Sequence, residues 1–345
     1  MTITNDLAVL AGGAGSGVTY RNRLINGGFQ VWQRGTSFAM ANGASADIYT
    51  ADRWLGEASG GGGNQTGSTV TFAQASDSSG LYGGASPYYM NISCPSFANT
   101  SSVPNSQMSL FQRIESLNVY DLAGKNVTFS FYTSISSSSG GTFTGQVYIG
   151  YPNSVDNWSS ATYVGPITFP ISSTPQKFSF NTTLTSSYQN GCVVYIRVIN
   201  TGSTATGVNF NIGSAQFEQG LTASQFEHRS YGQELLLCQR YAYVLSGTFL
   251  ATGAWSSSTN CFYSGQFPIT MRTTPTLSLS AAASSYSTYL VGPATYLSLT
   301  GLSLNGVTGA EWWLLTASFA SGGQGQGQTT YLNSNGNYIL FQAEL

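Results

Sequence analysis

From Tyr20 onward the chain is a succession of short runs in which every second residue is apolar, each closed by Gly, Asn, Ser or Pro. Val127, Phe129 and Phe131 alternate with Thr128, Ser130 and Tyr132, and Val147, Ile149 and Tyr151 alternate with Gln146, Tyr148 and Gly150. Successive side chains of a strand point to opposite faces, so such runs bury one face and wet the other, a pattern no helix can use. Phe178 and Phe180 follow Pro175. Cys192, Val194, Ile196 and Val198 then share a face opposite Tyr195 and Arg197, and Val208, Phe210 and Ile212 close the series. Seven or more strands with Gly-rich loops over roughly 200 residues predict an all-β, two-sheet sandwich of jelly-roll type.

Helix formers cluster at Tyr231-Gly232-Gln233-Glu234-Leu235-Leu236-Leu237-Cys238-Gln239-Arg240-Tyr241, which predicts a short helix or turn at a domain boundary. Strands are expected again at 261–271, 287–300, 311–319 and 337–343, with the Gly322 to Gln328 tract an exposed loop. The expected organisation is an apolar, glycine-rich attachment arm over 1–20, a jelly roll over 21–230 and a smaller distal β-sandwich over 231–345.

Only 7% of residues are charged, against about 25% in ordinary globular chains. Ser, Thr, Asn, Gln and 41 Gly supply the surface polarity instead, and 13% aromatic residues give more burial than a disordered chain would carry. Eleven basic and 13 acidic residues are scattered, leaving no basic stripe to follow a phosphate backbone, so nucleic acid is not an expected partner. Met1 to Val18 lacks the charged start and apolar run of a secretory signal, and no stretch reaches the roughly 20 apolar residues of a membrane span. Synthesis in a cytoplasm without membrane insertion is the expectation. Cys94, Cys192, Cys238 and Cys261 form no C-x-x-C pair and are expected as buried free thiols.

Catalytic chemistry is poorly provided for. The run Gly12 to Gly17 has no following Lys to make a phosphate loop. His228 is the single histidine, expected in a structural role, and a zinc site needs more His or Cys at ligand spacing. Glu57, Glu115, Glu218 and Asp156 are the carboxylates a glycosidase would draw on. Asp47, Asp52 and Asp121 offer oxygen ligands, but no loop has the ordered acids of a calcium site. Neither a metal nor a cofactor is expected.

Three segments carry a family resemblance. Asn22-Arg23-Leu24-Ile25-Asn26-Gly27-Gly28-Phe29-Gln30-Val31-Trp32-Gln33-Arg34-Gly35 is followed by Tyr49-Thr50-Ala51-Asp52-Arg53-Trp54. Gln112-Arg113-Ile114-Glu115 precedes Leu122-Ala123-Gly124-Lys125-Asn126-Val127-Thr128-Phe129-Ser130-Phe131. Ile212-Gly213-Ser214-Ala215-Gln216-Phe217-Glu218-Gln219-Gly220 leads to Phe226-Glu227-His228-Arg229 and Leu237-Cys238-Gln239-Arg240-Tyr241. In this order they resemble bacteriophage tail-fibre and receptor-binding proteins that contain a domain like a carbohydrate-binding module. The resemblance implies a non-enzymatic virion protein, a homotrimer attached to other virion proteins by its arm and touching a host surface polysaccharide. Capsid decoration, as a head fibre, is the alternative, and a glycan-degrading tailspike a lesser one. Enzymatic tailspikes resemble repetitive parallel β-helices, and no regular repeat occurs here.

Trp32, Arg34, Asp52, Arg53, Trp54, Glu218, Glu227, Arg229 and Arg240 are expected as structural clasps, since planar guanidinium groups pair with carboxylates and stack on rings. Sugar recognition needs flat rings and short polar side chains. Trp255, Tyr263, Trp312, Trp313, Tyr331 and Tyr338 in the distal domain are the expected glycan contacts, with one of the adjacent Trp312 and Trp313 in the core and the other exposed or at a subunit contact.

Overall fold

The computed structural model describes residues 20–42, 44, 46–59, 68–84, 86–99, 106–291, 293–306, 308–320 and 328–345. The expected arm, apart from Tyr20, and the Gly322 to Gln328 tract, apart from Gln328, lie outside these residues. The chain forms two compact units: the chain up to Gln30, Thr36–Arg229 and Leu345 make one, and Val31–Gly35 with Ser230–Glu344 make the other.

The first unit is built from β1 (Ser37–Met40), β2 (Ile48–Tyr49), β3 (Leu55–Ser59), β4 (Val70–Ser76), β5 (Tyr88–Phe97), β6 (Gln107–Ile114), β7 (Asn126–Ser136), β8 (Phe143–Ser154), β9 (Asn157–Pro170), β10 (Gln176–Thr183), β11 (Cys192–Asn200) and β12 (Ala205–Gln219). They form two six-stranded sheets, ordered β1-β4-β5-β12-β7-β10 and β2-β3-β6-β11-β8-β9. Every pairing is antiparallel. The all-β sandwich expected from the alternation is the observed fold.

The apolar member of each alternating pair is buried: Phe129, Phe131, Phe210 and Ile212 in one sheet, and Val147, Val194, Ile196 and Val198 in the other. Phe169 of β9 meets Phe131 edge-on at 5.8 Å and Phe178 of β10 at 4.6 Å, so aromatic rings span the two sheets at their β9 and β10 edges. The outer face of the β7–β12 pair is covered by its own chain. The Tyr82 hydroxyl lies 2.7 Å from Ser134 Oγ, Ser214 Oγ donates to the Tyr82 carbonyl, and a Cβ on Gly213 would stand 2.4 Å from Tyr82 Cβ. On the outer face of the other sheet, Leu55, Phe111, Val193 and Tyr195 form a small buried cluster against which Tyr49, Tyr148 and Trp158 pack.

In the second unit, α1 (Tyr231–Gln239) opens with a capping box in which Ser230 and Gln233 satisfy each other's backbone. Ten strands follow: β13 (Ala242–Ser246), β14 (Phe249–Trp255), β15 (Asn260–Gln266), β16 (Thr276–Leu279), β17 (Ser287–Leu290), β18 (Thr295–Ser298), β19 (Gly301–Leu304), β20 (Trp312–Ser318), β21 (Thr329–Asn333) and β22 (Tyr338–Gln342). A three-stranded sheet, β13-β22-β16, faces a seven-stranded sheet, β18-β17-β21-β14-β15-β20-β19. Phe341 of the small sheet touches Trp313 of the large one at 5.6 Å, inside a core that also holds Trp255, Tyr263 and Tyr286. All four cysteines are buried thiols outside any disulfide.

Candidate functional site

Antiparallel register places side chains from five strands in rows on the outer face of the second sheet. Leu55 of β3 pairs with Phe111 of β6, Phe111 with Tyr195 of β11, and Tyr195 with Tyr148 of β8. Two residues along, Glu57, Ser109, Arg197 and Gln146 form a parallel row. Arg113, Val193, Gly150 and Tyr163 of β9 form a third on the other side. Side chains two apart on a strand share a face, so the rows make one surface.

Within that surface Glu57, Tyr148, Tyr163, Tyr195 and Arg197 line a groove of about 290 Å³. Tyr195, backed by the buried Phe111 on which it stacks, is its floor, and Tyr163, 46% exposed, stands edge-on to Tyr195 at 5.5 Å. Gly150 makes room for Tyr163, because a Cβ there would lie 2.8 Å from its Cδ1.

The two cations of this face are balanced locally. Arg197 donates to Ser109 Oγ at 3.1 Å and to the Tyr148 hydroxyl at 3.4 Å, lies over the Tyr148 ring at 4.9 Å, and sits 3.7 Å from Glu57. Arg113 donates to the Leu345 carbonyl at 2.7 Å, covers the rings of Phe111 and Trp158, and stands 4.0 Å from Asp47. Burial, and then the neighbouring Glu57, push the Asp47 carboxyl above its usual range against the pull of Arg113. Burial pushes the Tyr195 hydroxyl far up as well, so it stays neutral. Trp158 Nε1 is buried without a hydrogen-bond partner among the described residues. The resulting surface presents ring faces, hydroxyls and mutually neutralised charges.

The expected glycan contacts are placed differently. Trp255, Tyr263 and Trp313 are core residues, 2%, 0% and 3% exposed, so their rings are not available to a ligand. This corrects the expectation for those three. Trp255 packs on Phe319 at 4.7 Å, and the Tyr263 hydroxyl is 2.6 Å from Thr288 Oγ1. Trp312, 40% exposed, is the outward member of its pair, as strand geometry requires, and Tyr331 and Tyr338 are half-buried.

Among the clasps, Trp54 and Asp52 are fully buried, and the Trp54 indole donates to the Asn26 carbonyl at 2.9 Å. Arg53, 2% exposed, donates to the Arg113 carbonyl at 2.7 Å, and Arg229 donates to the Leu24 and Asn22 carbonyls beside Glu227 at 3.7 Å. Glu227 accepts from the backbone N–H groups of Tyr20 and Asn22. Glu218 binds the backbone N–H and hydroxyl of Ser224. Backbone groups thus take many of these bonds, beside the Arg229–Glu227 ion pair. Trp32 and Arg34 belong to the second unit, where Arg34 pairs with Glu344 at 3.2 Å. Arg240 caps α1, reaches the Thr270 carbonyl at 3.5 Å and covers Tyr241. Asp156 accepts from Ser116, and His228 is exposed. Among the described residues no group of three or more His, Cys, Asp or Glu is placed to hold a metal ion.

No family model matches the chain, and no curated protein matches it. Solved structures similar to it include the enzymatically active domain of tailspike protein 4 from bacteriophage CBA120, at 13% identity and TM-score 0.35, covering 58% of this chain and 22% of that one. The module TmCBM61 in complex with β-1,4-galactotriose matches at 12% identity and TM-score 0.32, over 58% of this chain and 99% of the module. The C-terminal family 22 carbohydrate-binding module of Clostridium thermocellum Xyn10B matches at 14% and 0.28, over 54% and 98%. The chain therefore spans about a fifth of the tailspike domain and nearly the whole of each module.

Proposed function

We propose that this chain is a non-enzymatic, glycan-binding component of a bacteriophage virion, a tail fibre or receptor-binding adhesin that holds a neutral host polysaccharide on the outer face of the β2–β9 sheet. The observation that carries this reading is the open groove of Glu57, Tyr148, Tyr163, Tyr195 and Arg197. Ring faces suit the apolar side of a pyranose, while the Tyr148 hydroxyl and the half-buried Gln146 beside it suit its hydroxyls. Arg197 is already neutralised by Glu57, which favours an uncharged sugar over an acidic one. The virion role, the homotrimer and the arm-mediated attachment rest on the three sequence motifs.

Full-length protein on an array of neutral and acidic host polysaccharides tests the reading. Binding to neutral glycans that is lost in Tyr148→Ala and Tyr163→Ala supports it. Normal binding by both variants overturns the groove as the site. Light scattering at micromolar concentration checks the trimer, and locating the protein in intact particles separates tail attachment from capsid decoration.

A second reading, a glycan-degrading site, draws on Asp47, whose raised proton affinity suits a general acid, and on the ion-paired Glu57 near it. Reducing ends released from a bound polysaccharide, and their loss in Glu57→Gln, distinguish it from binding alone.

A further inference from the structure

We infer that the second unit carries its own sugar-binding site, a polar cavity that takes one neutral pyranose, continued by a row of aromatic rings for the sugars linked to it. This site is independent of the groove in the first unit. The cavity holds about 350 Å³, within the roughly 300–1,000 Å³ range of small-ligand pockets. Its walls are Ser246, Gly247 and Thr248, between β13 and β14, and the turn from Asn333 to Tyr338 that joins β21 to β22.

The turn is held open by its own bonds. Asn335 and Gly336 take left-handed backbone, with φ of 51° and 84°. Ser334 is tied to Thr248 and Gly247 through its N–H and hydroxyl, and the Asn335 and Asn337 amides donate to the Ser285 carbonyl. Asn333 Oδ1 accepts from the Asn335 N–H at 2.7 Å. Among the described residues these bonds leave Asn333 Nδ2, Asn337 Oδ1 and the hydroxyls of Ser246 and Thr248 without a protein partner. Asn333 is only 4% exposed, and polar groups so nearly buried are ordinarily satisfied. Donors, acceptors and two hydroxyls facing one cavity match the hydroxyl pattern of a sugar.

The rings adjoin this cavity through the strand register. Phe249 pairs with Asn333, and Tyr331 lies two residues before Asn333 on β21. Tyr289 stands opposite Tyr331, and Tyr296 opposite Tyr289. Phe249 is 5.8 Å from Tyr331 and 6.0 Å from Tyr289, and Tyr289 is 5.1 Å from Tyr296. Phe249 and Tyr296 are 51% and 54% exposed, an open aromatic surface of the kind that marks binding. Among the described residues no charged side chain lines the cavity or belongs to the row, which favours a neutral glycan. A second copy of the chain seated there would cover the rings but bury the cavity's open amide and hydroxyl groups.

The test uses the full chain with its groove silenced by Tyr148→Ala and Tyr163→Ala. Saturation-transfer NMR is run with methyl glycosides of glucose, galactose, mannose and N-acetylglucosamine, and with neutral 1,4-linked tetrasaccharides. The expected result is retained binding to at least one probe. Tetrasaccharide affinity should fall about tenfold in Tyr296→Ala, comparable to the loss of one stacking ring, with the melting temperature unchanged. Thr248→Val should weaken the monosaccharide and tetrasaccharide alike. Absence of binding by the silenced chain, or binding indifferent to both second-unit substitutions, overturns the inference. So does self-association that Tyr296→Ala abolishes while no glycan binds. Equal binding by the wild-type and silenced chains counts against the groove instead and leaves this site standing.

Discussion

Phe111 and Tyr195 lie face to face across neighbouring strands, ring centroids 4.2 Å apart and planes 8° from parallel. Both are buried on the side of the sheet that faces away from the sandwich core, so they form a floor on which the more exposed Tyr163 stands. Floor and contact residues should therefore separate experimentally. Tyr195→Ala is expected to cost about 3 kcal/mol of stability, in the range of large-to-small aromatic substitutions. Tyr163→Ala should leave the melting temperature within a degree or two and weaken polysaccharide binding about tenfold. Thermal melts and titration calorimetry on the two variants check this.

Gly150→Ala is expected to disturb the groove without touching its chemistry. The added Cβ would meet the Thr162 carbonyl at 2.7 Å and the Tyr163 ring at 2.8 Å, so β9 must shift away from β8. Overpacking of this kind costs about 1–3 kcal/mol. Glycan affinity should fall along with stability, measured by denaturant melts and calorimetry.

Asp47 should make stability depend on pH in the direction opposite to most carboxylates. Its proton affinity is raised in the folded chain, so between the ordinary value of 3.8 and the raised one the folded state holds more protons than the unfolded state. That contribution is full at low pH and is lost as pH rises through this window. Asp47→Asn should flatten the dependence and raise the melting temperature at neutral pH relative to wild type. Melts of both chains from pH 3 to pH 8 check the sign.

The tryptophans should divide by unit and by face. Trp54→Ala removes a fully buried ring tilted against Phe29 at 5.1 Å, and Trp255→Ala removes one packed on Phe319. Each should cost roughly 3–5 kcal/mol. Trp312→Ala, at an exposed position, should change stability by less than about 0.5 kcal/mol. Melting curves of the three variants give the comparison.

Period-two alternation alone determined that the chain folds into antiparallel sheets, and it assigned Tyr148, Tyr195 and Arg197 to faces opposite the core, where the structure has them. That information is local, because the side a residue faces follows from its parity within one strand. The same rule split Trp312 from Trp313 but did not say which faced the core. Three choices belonged to the tertiary structure. Register brought Glu57 beside Arg197, residues from β3 and β11 whose proximity no short-range pattern encodes. The Tyr82 loop covered the outer face of one sheet, whereas the outer face of the other carries the Phe111–Tyr195 cluster and the groove beside it. The seven-stranded sheet turned Trp255 and Tyr263 inward, while Tyr289, Tyr296 and Tyr331 remained at its outer surface. Aromatic residues serve cores and sugar sites through the same flat apolar ring, so only the packing around each ring decides which role it takes.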